Sequence, residues 1–150
     1  MTDQGDFAAG DVLEAADLNA FSQVTILRNT DDVPNNTNHT VVFDTELIDV
    51  GGWHSGSSTA ITPDITGIYL LTANALNINN SSGRGLINLF VDSTIVASSD
   101  DNDGAHDLSL AAHYPITSGQ SITLQCYQNS GSTKTGVTFM LSAQLIRKTA

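Results

Sequence analysis

The C-terminal stretch "GVTFMLSAQLI" alternates apolar and polar positions without a break. Val137, Phe139, Leu141, Ala143 and Leu145 fall on one side. A period of two over this length predicts a strand with one buried face. "SITLQCYQ" repeats the pattern with Ile122, Leu124 and Cys126, and "LINLFVDSTIVASS" with Ile87, Leu89 and Val91 before a bend near Asp92 and Ser93. "HTVVFDTELI" puts Val41, Phe43, Thr45 and Leu47 on one face. "STAITPDITG" predicts a short strand and a turn, in which Pro63 cannot donate to a ladder and Gly67 lets the chain reverse. "IYLLTANALNI" follows as a long strand led by Tyr69, and "LSLAAHYPI" is a strand ended by Pro115. Turn-forming segments such as "DVGGWHSGSST", "NNSSGRG", "TSGQ" and "NSGSTKTG" separate these runs. The result is roughly eight strands with no amphipathic helix between them. Parallel sheets need crossover helices, so the pattern predicts an all-β, antiparallel sandwich.

The first part of the chain reads differently. "GDVLEAADLNAF" is helix-compatible, with Asp11 and Glu14 at capping-box spacing. It is too short for a stable free helix and must dock on something. "RNTDDVPNNTNHT" is polar and proline-bearing, as a linker is. The expected division is a docking arm and linker over residues 1–38 and a β domain over 39–150.

Composition narrows the function. The 150 residues carry a formal net charge of -11, with Arg28, Arg84, Lys134, Arg147 and Lys148 as the fixed positives. No basic footprint exists to neutralise phosphates, so neither nucleic acid nor an anionic membrane is an expected partner. Charged residues make up 14% of the chain, against about 25% in ordinary soluble domains. Ser, Thr, Asn and Gly fill the difference, which suits a loop-rich β protein. The single cysteine, Cys126, excludes an internal disulfide and is expected as a buried strand thiol. "MTDQGDFAAGD" lacks the basic and apolar regions of a secretory signal, which places synthesis in a reducing cytoplasm. The Asn-x-Ser/Thr triplets at Asn35, Asn38, Asn79 and Asn80 are then chance in an Asn-rich chain.

The stretch "FDTELIDVGGWHSGSSTAITPDITGIYLLTANA" is similar to the front half of the complement globular-head and tumour-necrosis-factor-like jelly rolls. That family's Pro-x-x-Gly-x-Tyr-x-Phe turn appears here as Pro63, Gly67, Tyr69 and Leu71, with one extra residue and Leu for Phe. "YPITSGQSITLQCYQNSG" resembles the Leu-x-x-Gly-Asp-x-Val-x-Leu stretch, with Gln120 where Asp is usual, and "GVTFMLSAQLI" the final Phe-containing strand. The resemblance spans about residues 40 to 147. It implies a jelly-roll sandwich packed as a homotrimer, with Tyr69, Tyr114, Tyr127 and Phe139 as candidates for the seam or the layers beneath it. "GDVLEAADLNAF" is also similar to a segment near the N-termini of tailed-phage structural proteins.

Candidate chemistry is sparse. Asp100, Asp101, Asp103 and Asp107 could offer calcium oxygen ligands, but the helix-loop-helix register puts Leu110 where the bidentate Glu belongs. A solvated acidic loop and no cofactor are expected. His39, His54, His106 and His113 lack zinc spacing. No nucleophile elbow or phosphate-cradling loop is present, so an enzyme is not expected. Trp53, after Gly51 and Gly52, either covers one end of the sandwich or an oligomer seam, or stacks on a sugar.

The two resemblances together point to a virion surface protein, assembled in the host cytoplasm. The first expectation is a trimeric capsid decoration, or cement, protein that bridges subunits of the major capsid protein. Phe7, Val12, Leu13, Leu18 and Phe21 of the arm are its expected contacts. The alternatives are a tail-fibre or tail-spike tip binding a host glycan, and a jelly-roll binding module outside any virion.

Overall fold

The computed structural model describes residues 22–78, 83–102 and 107–149. Ten strands run through them: β1 (Gln23–Val33), β2 (His39–Thr40), β3 (Thr45–Asp49), β4 (Ala60–Ile61), β5 (Gly67–Leu76), β6 (Gly85–Val91), β7 (Thr94–Asp101), β8 (Leu108–Ile116), β9 (Ile122–Gln128) and β10 (Lys134–Lys148). They form two antiparallel sheets. The first has the order β3-β1-β10-β5-β8; the second has β2-β9-β6-β7, with β4 added beside β9. The chain is an all-β antiparallel jelly roll, as the alternation and the resemblance implied.

The core lies between the sheets and is built from the alternate positions of the long strands. β10 contributes Val137, Phe139, Leu141, Ala143 and Leu145; β5 contributes Tyr69, Leu71, Ala73 and Ala75; β6 and β9 answer with Ile87, Leu89, Val91, Ile122, Leu124 and Cys126. Burial pushes the Cys126 thiol up to about 12, with the Asp31 carboxylate adding to the effect. Such a thiol does not ionise at physiological pH and is not a nucleophile.

Three expectations change. Residues 23–33 are a sheet strand and not part of an arm or linker. β1 lies between β10 and β3 and buries Val24, Ile26 and Val33, so the sandwich begins well before residue 39. The boundary at 38 fails because the polar run after Arg28 sits on register shifts, where side chains leave the strict alternation. Second, "HTVVFDTELI" is not one strand. β2 pairs with β9 in the second sheet, while β3 pairs with β1 in the first. The chain changes sheets near Asp44, which leaves Leu47 exposed and not inward. Third, "LINLFVDSTIVASS" is the β6–β7 hairpin, turned by Asp92 at φ 52°.

Gly67 serves close approach and not reversal. A side-chain carbon there would stand 2.5 Å from the Arg147 carbonyl oxygen and 2.6 Å from Leu145 Cδ1. The tight pairing of β5 with the end of β10 therefore requires glycine. Tyr69, two residues later, donates its hydroxyl to the Ile65 carbonyl at 2.6 Å and ties strand to turn.

Candidate interaction surface

The centre of the outer face of the first sheet carries no fixed charge. Across it run Thr25 and Leu27 of β1, Met140, Ser142 and Gln144 of β10, and Leu70, Thr72 and Asn74 of β5. Ser109, Ala111 and His113 of β8 continue the rows. All are half-buried or exposed, because their neighbours in sequence fill the core. β5 and β8 contain no Asp, Glu, Lys or Arg, and in β10 the charges stand only near its ends, at Lys134, Arg147 and Lys148.

That absence has physical content in a chain of net charge -11. A solvated strand face ordinarily carries charges of both signs. Desolvating a charge is expensive, so interface cores are depleted of charged residues while keeping a mixture of apolar and small polar ones. Thr25 Oγ1 and Ser142 Oγ lie 3.0 Å apart and satisfy each other across β1 and β10. Such a face can meet another surface without stranding an ion.

The Trp53 loop is built as a lid on one end of the sandwich. Trp53 is 4% exposed. Its ring meets Tyr69 edge-on at 5.5 Å and its Nε1–H donates to Asp64 at 2.8 Å. Burial, with the Asp64 carboxylate nearby, pushes the Tyr69 hydroxyl up to about 12. Asp49 accepts the backbone N–H groups of Trp53 and His54 on its two oxygens. His54 is buried and holds Glu46 through Nδ1 at 2.9 Å; a carboxylate can only accept, so Nδ1 carries the proton. The indole has no free face for a sugar, which removes the stacking reading of Trp53.

The acidic loop is partly engaged. Arg84 holds Asp100 through two hydrogen bonds of 2.9 and 2.7 Å and keeps its carboxyl below the usual carboxylate range. Asp107 accepts the Asn77 N–H at 2.7 Å. Among the described residues no group of His, Cys, Asp or Glu has the geometry of a metal site. Asp103 and His106 lie outside them.

The structure does not bring the four aromatic seam candidates together. Tyr69 and Phe139 are core residues with no exposed surface, in the layer beneath the charge-free face. Tyr114 packs against the core from β8, and Tyr127 lies on the second sheet, where its hydroxyl donates to Asn36 at 2.9 Å. Phe7, Val12, Leu13, Leu18 and Phe21 lie outside the described residues. Thr25, Thr72 and Ser142 are small polar residues that no aromatic or apolar pattern marks in the sequence. The missing charge in "IYLLTANAL" and "VTFMLSAQLI" was the available signal.

No family model matches the chain, and no curated protein matches it. Solved structures do. The globular domain of a zebrafish complement 1qA protein aligns with TM-score 0.67 at 17% identity, covering 86% of this chain and 99% of that one. The vertex protein of phage PRD1 aligns with TM-score 0.66 at 12% identity, covering 85% and 98%. Murine APRIL aligns with TM-score 0.60 at 14% identity, covering 83% and 98%. At these identities the likeness is one of fold: the chain shares the jelly roll of the complement and tumour-necrosis-factor-like domains.

Proposed function

We propose that the chain is a homotrimeric surface protein of a tailed-phage particle, acting as a head decoration protein. The observation that carries this is the charge-free centre of the outer face of the β3-β1-β10-β5-β8 sheet on a strongly acidic domain. Three copies meet through that face, and the acidic loops stay in solvent. The likeness in fold to a phage vertex protein supports a particle setting. The resemblance of "GDVLEAADLNAF" to phage structural proteins supports it independently.

In this reading the work is mechanical. The trimer stands on the lattice of the major capsid protein, and the apolar residues of each N-terminal segment engage neighbouring subunits. Three attachments per trimer raise avidity without tight individual contacts. The shell is then braced against the pressure of its genome. With Trp53 buried, the glycan-binding tail tip loses its candidate sugar-stacking residue.

Quantitative mass spectrometry of purified particles tests the assignment. The expected copy number scales with the capsid subunits; a number on the scale of the single tail reassigns the chain to a tail appendage. Binding of a chain that starts at Ser22 to undecorated capsids tests the attachment. That truncation leaves β1 whole, and it is expected to stay folded and to lose capsid binding.

A further inference from the structure

The first described residues leave the sandwich at an apolar, basic corner. The Leu145 N–H donates to the Ser22 carbonyl at 3.0 Å on one side, and the Val50 N–H to the Gln23 carbonyl at 2.9 Å on the other. The start of β1 therefore lies between the ends of β10 and β3. Val50 is 56% exposed there, and Ile146, next to Leu145, is 50% exposed. Ile48, also exposed, lies near the end of β3, two residues before Val50, which follows that strand. Arg147 and Lys148 follow Ile146, and among the described residues neither has an ion-pair partner.

The preceding segment has the complementary chemistry. Residues 1–21 contain Asp3, Asp6, Asp11, Glu14 and Asp17 and no Lys or Arg. Between the acids stand Phe7, Val12, Leu13, Leu18 and Phe21. Apolar side chains left in water are favourably buried, and opposite charges at the rim set the orientation. A short tether gives the segment an effective concentration of about millimolar order at this corner, which a free partner rarely reaches.

We infer that residues 1–21 dock on their own domain at the corner formed by Ile48, Val50, Ile146, Arg147 and Lys148. The docking belongs to the isolated protein and holds whether or not the particle reading does. On a particle it adds a condition. The apolar residues that grip the capsid are already seated, and attachment becomes an exchange of one surface for another.

Hydrogen exchange on the full chain, followed by mass spectrometry of peptides from residues 1–21, tests this. Amides of the segment are expected to exchange about tenfold or more slowly than in the free peptide, independently of protein concentration. Val50→Asp with Ile146→Asp, and separately Arg147→Glu with Lys148→Glu, are expected to return them to free-peptide rates while the core strands stay protected. Free-peptide rates in the unaltered chain overturn the inference. So does protection that survives both double variants, which seats the segment elsewhere. Protection that falls on dilution overturns it too, because the occupant is then a segment of another copy.

Discussion

Gln120 shows how one side chain ties two turns. Its amide donates to Asp92 Oδ2 at 2.8 Å, and its carbonyl accepts the Thr117 N–H at 2.8 Å. Asp92 also accepts the Ser121 N–H at 2.9 Å, so the β6–β7 hairpin is locked to the β8–β9 turn. The resembled family has Asp at this position; here Asp would lack the amide that donates to Asp92. The Ser121 and Gln120 bonds hold the Asp92 carboxyl below the usual carboxylate range. A lowered folded-state value means that this stability is present above the ordinary carboxylate pKa and is lost as pH falls through the lowered one. Gln120→Glu keeps the shape and points a second carboxylate at Asp92. Its melting temperature is expected to fall below that of the unaltered protein at neutral pH. The gap should narrow once the carboxyls protonate below about pH 4. An equal gap at both pH values would show that charge at this contact is irrelevant.

At the scale of the element, the pairing of β5 with β10 rests on Gly67. Gly67→Ala forces its new carbon against the Arg147 carbonyl, a backbone atom that cannot step aside. A loss of about 1–3 kcal/mol is expected from overpacking, read as a lower midpoint in urea. An unchanged midpoint would mean that the strands have room to spare. Long, central strands were legible in the sequence because burial on one face imposes a period of two: Val137 to Leu145 and Ile122 to Cys126 could be placed from alternation alone. Edge and bulged strands were not. β1 hides behind "RNTDD", where register shifts break the alternation, and β3 exposes Leu47 and Ile48, so apolar residues there do not mark the core. Gln120 and Gly67 were visible as residues, but their roles depend on contacts with Asp92 and Arg147, far away in sequence. The Trp53 lid could be read halfway: an aromatic in a glycine loop was evident, and its partners Asp64 and Tyr69 were not.

At the scale of the whole molecule, the domain separates its charge from one face. Acids cluster in loops, at β3 and along the ends of β1 and β7, while the centre of the first sheet stays neutral. That division is the basis for reading the chain as one of three identical partners. Thr72 lies at the centre of the face, between Ser142 of β10 and Ala111 of β8. Arginine there is harmless to an isolated domain, since the position faces outward, but it strands a charge in any seam. Light scattering of the unaltered protein and of Thr72→Arg at micromolar concentration is the most direct measurement. The expected result is the mass of three chains for the first and of one chain, still folded by circular dichroism, for the second. A trimer that persists in Thr72→Arg, or a monomer before any substitution, contradicts the account.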